Sequence, residues 1–253
     1  MDLLRLAVLS DTHGNLLALE AILTDIQVRG TPDAYWVLGD LAAFCPWPAE
    51  TLARLRALPN VAFLQGNIDR CTVTGRRPAL PIRSPADWAG APTHLAERDA
   101  NFRWTVAQLS YADYEFLRDL PPRLEMDFPG YGRVVGVHAT PTDDETVILP
   151  DAPDDEIRPH LAGLDARLLL CGHTHRPVER TVDGVRIVNV GSVGLPLDGD
   201  PRPAYCLLDF EGDQCAAAIH RATCDREAVL AELERVEHPA REWMGRILRE
   251  ARA

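Results

Sequence analysis

The stretch ARLLLCGHTH, residues 166–175, passes from a short run of apolar side chains directly into a Gly-His-Thr-His turn. An apolar run of this length, ended by a glycine, is typical of a buried β-strand. The same pattern precedes four other polar turns, after LRLAVLS (4–10), AYWVL (34–38), VAFL (61–64) and RVVGV (133–137). These five runs predict the strands of a buried sheet.

Amphipathic stretches follow the first two predicted strands, at residues 16–28 and 49–58. Strands that alternate with helices indicate an α/β architecture with right-handed crossovers, in which ligands gather beyond the carboxyl ends of the strands. The second half of the chain adds strand-like runs at 186–190, 204–210 and 214–220. It ends in what we expect to be one helix with a bend at Pro239.

The segment from about residue 71 to residue 122 interrupts this alternation. It begins with RRPALPIRSP, whose prolines indicate a loop, and continues with two helical stretches, THLAERDANFRWTVAQL and SYADYEFLRDLP. Ser110 and Asp113 have the spacing of a capping box, with Asp in place of Glu. We therefore expect one domain over residues 1–253, with a helical, cap-like insertion at about 71–122 that leans over the end of the sheet.

The composition restricts the class of protein. Apolar residues make up 46% of the 253 residues and charged residues 25%, which is ordinary for a globular protein. The chain contains no apolar run of transmembrane length and no signal-peptide pattern. Its six cysteines form no CxxC pair. We expect a cytoplasmic protein that does not contact the membrane.

The charged residues restrict its chemistry. A formal net charge of −12 disfavours a broad nucleic-acid-binding surface. All 26 basic residues are arginines. The absence of lysine excludes lysine nucleophiles, Schiff bases and a phosphate-binding loop of the P-loop type.

Polar side chains with oxygen or nitrogen donors follow the predicted strands at seven positions: Asp11, His13, Asp40, Asn67, His138, His173 and His175. Neighbouring strand ends lie about 5 Å apart, so we expect these side chains to converge. Carboxylate, imidazole and amide ligands without a thiolate suit Mn, Fe, Zn or Ni better than Ca. Seven ligands are too many for one ion. The sequence therefore predicts two divalent metal ions, with Mn favoured and Fe, Ni and Zn as alternatives.

The motif order D-x-H, G-D, G-N-x-D, H and G-H-x-H resembles that of the calcineurin-like metallophosphoesterase superfamily, in particular its small prokaryotic phosphodiesterases. These motifs span residues 11–175, and GSVGLPLDGDPRPAYCLLD (191–209) is similar to the same branch. The resemblance implies an α/β fold, a sandwich of two mixed β-sheets flanked by helices. It implies that one metal is held by Asp11, His13, Asp40 and His175, and the other by Asp40, Asn67, His138 and His173, with Asp40 bridging.

The resemblance also implies a function. It indicates a dinuclear-metal-dependent phosphodiesterase that hydrolyses small, nucleotide-type phosphodiesters through a hydroxide bridging the metals. Phosphomonoesterase and dinucleoside-polyphosphate hydrolase activities are the enzymatic alternatives, and a metal-binding scaffold or sensor is the alternative without catalysis. A small phosphodiester is the expected partner, and a homo-oligomer remains open.

One position departs from the family pattern. Many members carry a histidine between the Asn and the Asp of the G-N-x-D motif, where this chain has Ile68. Isoleucine cannot protonate a leaving group, and loss of a general acid typically costs about 10²–10⁴-fold in rate. The small prokaryotic branch often lacks this histidine, so its absence does not imply an inactive protein.

Catalytic roles are predicted for Asp40, Asn67 and Asp69. Because Asp69 has no histidine to orient, we expect it to fix Asn67 or to pair with Arg70. The predicted substrate contacts are Asn67, His94 and Arg176: His94 as a substitute acid from the insertion, and Arg176 because it follows the Gly-His-Thr-His turn. The turn formed by Asn189, Gly191 and Ser192 is expected to support the metal-binding loops.

Overall fold

Two five-stranded β-sheets form the centre of the protein. The structure, a computed structural model, describes residues 4–77, 82 and 84–252; within this part, the side chains of residues 90, 92 and 94 are not described. The first sheet has the spatial order β10 (Gln214–Arg221), β9 (Ala204–Glu211), β1 (Leu4–Leu9), β2 (Ala34–Val37) and β3 (Val61–Phe63). The second has the order β4 (Arg123–Phe128), β5 (Gly132–Val137), β6 (Leu168–Cys171), β8 (Val185–Asn189) and β7 (Val178–Val182).

Both sheets are mixed. In the first sheet, β1, β2 and β3 run parallel, and β9 pairs antiparallel with both β1 and β10. In the second, β5, β6 and β8 run parallel, and β4 and β7 are antiparallel edge strands. The predicted sandwich of two mixed sheets is therefore confirmed.

Eight helices occur in the described ranges: α1 (Leu16–Arg29), α2 (Pro48–Arg56), α3 (Asn67–Thr74), α4 (Pro85–Gln108), α5 (Tyr111–Arg118), α6 (Asp154–Leu161), α7 (Arg226–Arg235) and α8 (Arg241–Glu250). The predicted capping box at α5 is present, since Ser110 and Asp113 exchange hydrogen bonds between side chain and backbone. The helices α3, α4 and α5 occupy the chain between β3 and β4, where the insertion is predicted. None of these helices combines the length and the apolar character needed to cross a bilayer.

The layers follow from the alternation of side chains along each strand. In β1, Leu6 and Val8 point into the apolar layer between the sheets, together with Leu168 and Leu170 of β6. Ala7 and Leu9 point outward against α1, α2 and α5. The outer face of the second sheet is covered by α6. A fourth apolar cluster joins α3, α4, α7 and α8.

The C-terminal region differs from the prediction of a single bent helix. The chain forms two helices, α7 and α8, and their buried faces pack in the same cluster. Between them, Glu237 adopts a left-handed backbone with φ 49°. Pro239 has no backbone N–H and cannot continue a helix, so the chain reverses here.

Candidate metal centre

Five of the seven predicted ligands have strained backbone conformations. Left-handed φ angles occur at Asp11 (55°), His13 (49°), Asp40 (57°), His173 (65°) and His175 (57°). For a residue other than glycine, such a conformation costs of the order of 1–3 kcal/mol and persists only when the surrounding structure imposes it. The fold therefore imposes an unfavourable backbone at the turns that present these side chains.

The two carboxylates, Asp11 and Asp40, are both buried, with one oxygen of each held by a backbone amide. The N–H of His173 donates to Asp11 Oδ2 at 3.0 Å, and the N–H of Ile68 donates to Asp40 Oδ1 at 2.8 Å. Asp11 Oδ1 has no hydrogen-bond partner among the described residues. Asp40 Oδ2 lies 3.8 Å from His13 Nε2 and 3.4 Å from His138 Nε2. The second oxygen of each carboxylate is thus directed at the histidines.

The imidazoles are oriented by backbone carbonyls. The Nδ1 atoms of three histidines contact such carbonyls: His13 that of Ala43, His138 that of Leu38, and His175 that of Leu195. A carbonyl only accepts, so each Nδ1 carries the hydrogen and each Nε2 is left with a free lone pair. His173 has the opposite arrangement, because its Nε2 contacts the Glu145 carbonyl at 3.0 Å. Its Nδ1 is left to face the centre.

The free ligand atoms meet at short distances. His13 Nε2 lies 3.2 Å from His175 Nε2, which lies 3.2 Å from Asp11 Oδ1. His138 Nε2 lies 3.0 Å from Asn67 Oδ1 and 3.3 Å from His173 Nδ1. Lone pairs this close repel each other unless a proton or a cation lies between them. The structure therefore brings all seven predicted ligands together in an arrangement that fits cations.

Two overlapping groups satisfy the spacing of a metal site. One contains Asp11, His13 and His175, and the other Asp11, Asp40 and His138, with the ligand atoms of each group within 4.8 Å of one another. Asp11 is common to both groups, whereas the family resemblance assigns the bridging role to Asp40. Asp40 Oδ2 lies between His13 and His138, so its position also allows two cations to share it.

The electrostatics of the centre favour positive charge. Burial opposes ionisation of Asp11, but electrostatic attraction to His175, and to His138 and His13, holds the Asp11 pKa well below its usual range. Burial also opposes protonation of His138, but the charge of Asp40 and its hydrogen bond raise the His138 pKa to about 10. A bound cation supplies the charge that a proton on His138 otherwise supplies.

Two motif glycines allow the loops to approach this closely. A Cβ atom at Gly172, in the Gly-His-Thr-His turn, would overlap Ser10 Oγ and Asp11 Oδ2. A Cβ atom at Gly66 would overlap Asp40 Oδ1. Glycine is therefore required at both positions by the distance between two neighbouring loops.

The predicted supporting turn is confirmed. Asn189 Nδ2 donates to the carbonyl of Gly172 at 2.6 Å and to Thr174 Oγ1 at 3.0 Å. Ser192 Oγ donates to the carbonyl of Asp11 at 2.9 Å. These bonds hold the loops that carry Asp11, His173 and His175.

Asp69 is used differently from the two expected ways. Its Oδ2 accepts from the N–H groups of Asp40 and Gly66 at 2.7 and 3.0 Å, and its Oδ1 accepts from the N–H of Leu41 at 2.9 Å. The expected pair with Arg70 is wrong, because Arg70 bonds to other carboxylates. Asp69 instead locks the Asp40 turn to the start of α3, and its catalytic role stays a prediction.

Ile68 lies in an apolar cluster next to the centre. The cluster includes Phe44 of the loop before α2 and Phe102 of α4, whose rings are 6.0 Å apart and meet edge to face. The Phe44 ring also lies 5.1 Å from the His13 ring. The insertion therefore reaches the centre through apolar contacts, on the side where family members carry a histidine.

The two remaining predicted substrate contacts stay predictions. Arg176 is half-buried, and its Nε donates to the carbonyl of Leu197 at 3.1 Å, which attaches it to the loop after β8. His94 lies on α4, but its side chain is outside the described part of the structure.

A salt bridge that the sequence did not predict closes one side of the centre. Arg70 of α3 contacts Asp144 through two hydrogen bonds, of 2.7 and 2.9 Å, and Glu145 through one of 2.6 Å. The backbone carbonyl of the same Glu145 accepts from His173 Nε2. The salt bridge thus holds the carbonyl that sets the orientation of His173.

We expect Arg70→Ala to weaken the binding of one of two Mn²⁺ ions by about tenfold, the lower end of the range for residues that orient metal ligands. The reason is that Glu145 loses its anchor and His173 its fixed orientation. Calorimetric titration of the metal-free protein with Mn²⁺ measures the effect. Arg118→Ala, which removes an exposed pair with Asp119, is the control. Unchanged affinities in Arg70→Ala would contradict the orienting role.

Comparison with known proteins agrees with this geometry. A family model described as the calcineurin-like phosphoesterase superfamily domain matches residues 4–213. An uncharacterized protein from Methanocaldococcus jannaschii is 29% identical over 221 residues, which cover 81% of this chain and 82% of that protein.

Two solved structures are similar over nearly the whole chain. A metallophosphoesterase from Sphaerobacter thermophilus is 25% identical, with a TM-score of 0.77 and coverage of 99% of this chain and 100% of that chain. A hypothetical protein from Pyrococcus horikoshii OT3, 23% identical with a TM-score of 0.82 and the same coverage, shares the fold. Because the family model matches most of the sequence, the chain belongs to the calcineurin-like phosphoesterase superfamily.

Proposed function

We propose that this protein is a phosphodiesterase that hydrolyses small, nucleotide-type phosphodiesters with two divalent cations, preferably Mn²⁺, bound at the candidate metal centre. The family and the fold suggest hydrolase activity, and the centre contains candidate metal-binding groups. The observation that carries the proposal is that the predicted ligands meet through short contacts with His175 and His138, beside an Asp11 Oδ1 that has no hydrogen-bond partner among the described residues. A site kept only for structure has no need of a complete ligand set.

The residues of the candidate metal centre have different proposed roles in hydrolysis. Bound cations supply Lewis acidity and lower the pKa of a water molecule. Asn67 directs its Oδ1 toward His138 at 3.0 Å. We infer that its amide N–H donates to a phosphate oxygen of the substrate. Asp40 and Asp69 keep the loops rigid through backbone amides, so little reorganisation is needed when charge develops.

The apolar side chains of Ile68 and Phe44 next to the candidate metal centre favour a diester over a monoester. A phosphodiester carries two organic substituents, whereas a monoester presents an additional charged oxygen. Ile68 and Phe44, whose residual exposed surface is apolar, offer no hydrogen bond to such an oxygen, but they can contact an organic substituent. Phosphomonoesterase and dinucleoside-polyphosphate hydrolase activities are the outcomes against which this preference is tested.

We also propose a cytoplasmic location. All six cysteines are free thiols. Unpaired cysteines are usual where the environment is reducing, and disulfides are rare there. Fractionation of the native host with antibody detection tests this location.

A substrate panel tests the proposed function. Protein stripped with a chelator and reloaded with Mn²⁺, Ni²⁺, Zn²⁺ or Mg²⁺ is assayed on bis(p-nitrophenyl) phosphate, p-nitrophenyl phosphate and a dinucleoside polyphosphate. We expect the chelated protein to be inactive and the Mn²⁺ form to prefer the diester. Equal activity with and without metal would exclude the two-cation centre. A preference for the monoester or the polyphosphate would replace the proposed specificity, and inactivity on all three would favour a scaffold or sensor.

Ile68→His tests how the leaving group departs. Without an acid at this position, the rate is expected to fall steeply as the pKa of the leaving group rises. The histidine should raise the rate for a poor leaving group by about tenfold and change little for a good one. This is below the 10²–10⁴-fold usual for a positioned acid, because the new ring must replace a side chain packed against Phe44 and Phe102.

The rates of wild type and Ile68→His are measured on a series of aryl and alkyl diesters and plotted against the pKa of the leaving group, which gives one slope for each protein. The metal content of each protein is determined as well. Ile68→Leu keeps an apolar side chain and should keep the steep slope. Parallel slopes for wild type and Ile68→His would mean that another group already supplies the proton, and His94 would be the first residue to examine.

A further inference from the structure

The insertion carries an arginine without a counter-ion. Arg98 lies on α4 and is half-buried. Its Nε is buried and has no hydrogen-bond partner among the described residues. A buried cationic donor without an acceptor is costly, because removal from water is not offset by a partner. Such a group in a native structure calls for a ligand or an explanation.

Its place on α4 is one helical turn from the cluster that joins α4 to α3. Phe102 follows Arg98 by one helical turn and packs in one cluster with Ile68 and Cys71 of α3. Cys71 also follows the ligand Asn67 by one turn, which is about 6 Å along the helix axis. Residues 98 and 102 lie on one face of α4, as do residues 67 and 71 on α3. Arg98 is therefore on the side of the insertion that packs against the metal-binding helix.

A second guanidinium lies next to it. Arg77 Nη1 donates to the carbonyl of Cys71 at 3.3 Å, and the Arg77 guanidinium lies over the Phe102 ring, 4.4 Å from its centroid. Burial and the charge of Arg77 both lower the pKa of Arg98. The two cations thus lie close enough to repel each other.

The available carboxylate does not offset both charges. Asp99 accepts from Arg77 Nε at 2.9 Å and from Arg103 Nη2 at 2.7 Å. No hydrogen bond or ion pair joins Arg98 to a carboxylate within the described residues. Asp99 is thus shared by Arg77 and Arg103, and Arg98 forms no hydrogen bond with it.

We propose that Arg98, with Arg77 beside it, forms an anion subsite that binds a second phosphate group of the substrate, separate from the ester that is cleaved. A guanidinium matches phosphate geometry and forms charge-assisted hydrogen bonds with it. The inference rests on the proposed function and deepens it, since it makes the substrate class phosphodiesters with an additional phosphate.

Binding of two non-hydrolysable probes tests the subsite. Full-length, Mn²⁺-loaded protein is titrated calorimetrically with methylphosphonate, which has one anionic group, and with methylenediphosphonate, which has two. Arg98→Gln should weaken methylenediphosphonate binding by about ten- to hundredfold and change methylphosphonate binding by less than about twofold. Arg98→Lys keeps the positive charge, so it should weaken methylenediphosphonate binding less than Arg98→Gln does. Arg103→Gln, on the same helix with a side chain 78% exposed, should bind both probes as wild type does.

The outcomes separate the subsite from a structural role. Equal weakening of both probes in Arg98→Gln, or no weakening of either, would overturn the proposal. So would a wild-type protein that binds the two probes equally well. Thermal unfolding checks that Arg98→Gln is folded. If it is not, the binding of the two probes to Arg98→Lys is compared with that of the wild type instead.

The same proteins are assayed on bis(p-nitrophenyl) phosphate, which has no second phosphate. Selective loss of methylenediphosphonate binding without diester hydrolysis in wild type would support the subsite and count against the proposed function. Diester hydrolysis by the wild type, with no selective loss of methylenediphosphonate binding in Arg98→Gln, would support the proposed function and count against the subsite.

Discussion

Asp40→Asn is expected to lower the hydrolysis of bis(p-nitrophenyl) phosphate by about 10²–10³-fold, which corresponds to about 3–4 kcal/mol of lost transition-state stabilisation. The substitution removes the negative charge that lies between His13 and His138 and that two cations would share. An asparagine oxygen can still accept from the N–H of Ile68, so we expect the protein to fold. The measurement is kcat/KM at saturating Mn²⁺, together with the metal content.

Asp113→Asn is the matched control. Asp113 is also a buried aspartate, 5% exposed, but it caps α5 and pairs with Arg56. Its substitution should lower stability and leave the activity of the folded protein unchanged. If Asp40→Asn keeps more than a tenth of wild-type activity with both metals bound, the shared-charge interpretation is wrong.

Phe102→Ala is expected to lower the free energy of unfolding by about 3–5 kcal/mol, the usual cost of truncating a buried phenylalanine. Phe102 has no exposed surface. It lies between the Phe44 ring and the Arg77 guanidinium and joins α4 to α3. Its removal leaves a cavity in the cluster that attaches the insertion to the rest of the protein.

Urea unfolding of the metal-free protein measures this effect without a contribution from bound ions. Val106→Ala, on the same helix at 50% exposure, is the control and should cost less than about 1 kcal/mol. A loss below about 1 kcal/mol for Phe102→Ala would mean that α4 is not held by this cluster.

Local patterns were sufficient for five of the strands. The runs that become β1, β2, β3, β5 and β6 are short, apolar and ended by polar turns, so each indicates its own structure. The edge strands β4 and β7 escaped prediction for the opposite reason. In RLEMDF and VERTV charged residues interrupt the apolar ones, and only one side chain of each strand is buried. They become strands because β5 and β8 offer them backbone partners.

The identity and order of the predicted metal ligands could be proposed from the sequence because each one follows a predicted strand. Position at a strand end is a local property, and parallel strand ends converge in any α/β sheet. Asp11, Asp40 and His138 could therefore be assigned to one site before their distances were known.

Tertiary structure decided what each side chain does there. The nitrogen that His173 turns toward the centre depends on the Glu145 carbonyl, and that carbonyl is held by Arg70 on another helix. Asp69 bonds to the Asp40 turn rather than to its neighbour Arg70. The Nε of Arg98 has no hydrogen-bond partner among the described residues. These properties depend on groups that are far apart in the chain, and side-chain hydrogen bonding is settled only when packing brings those groups within about 3 Å.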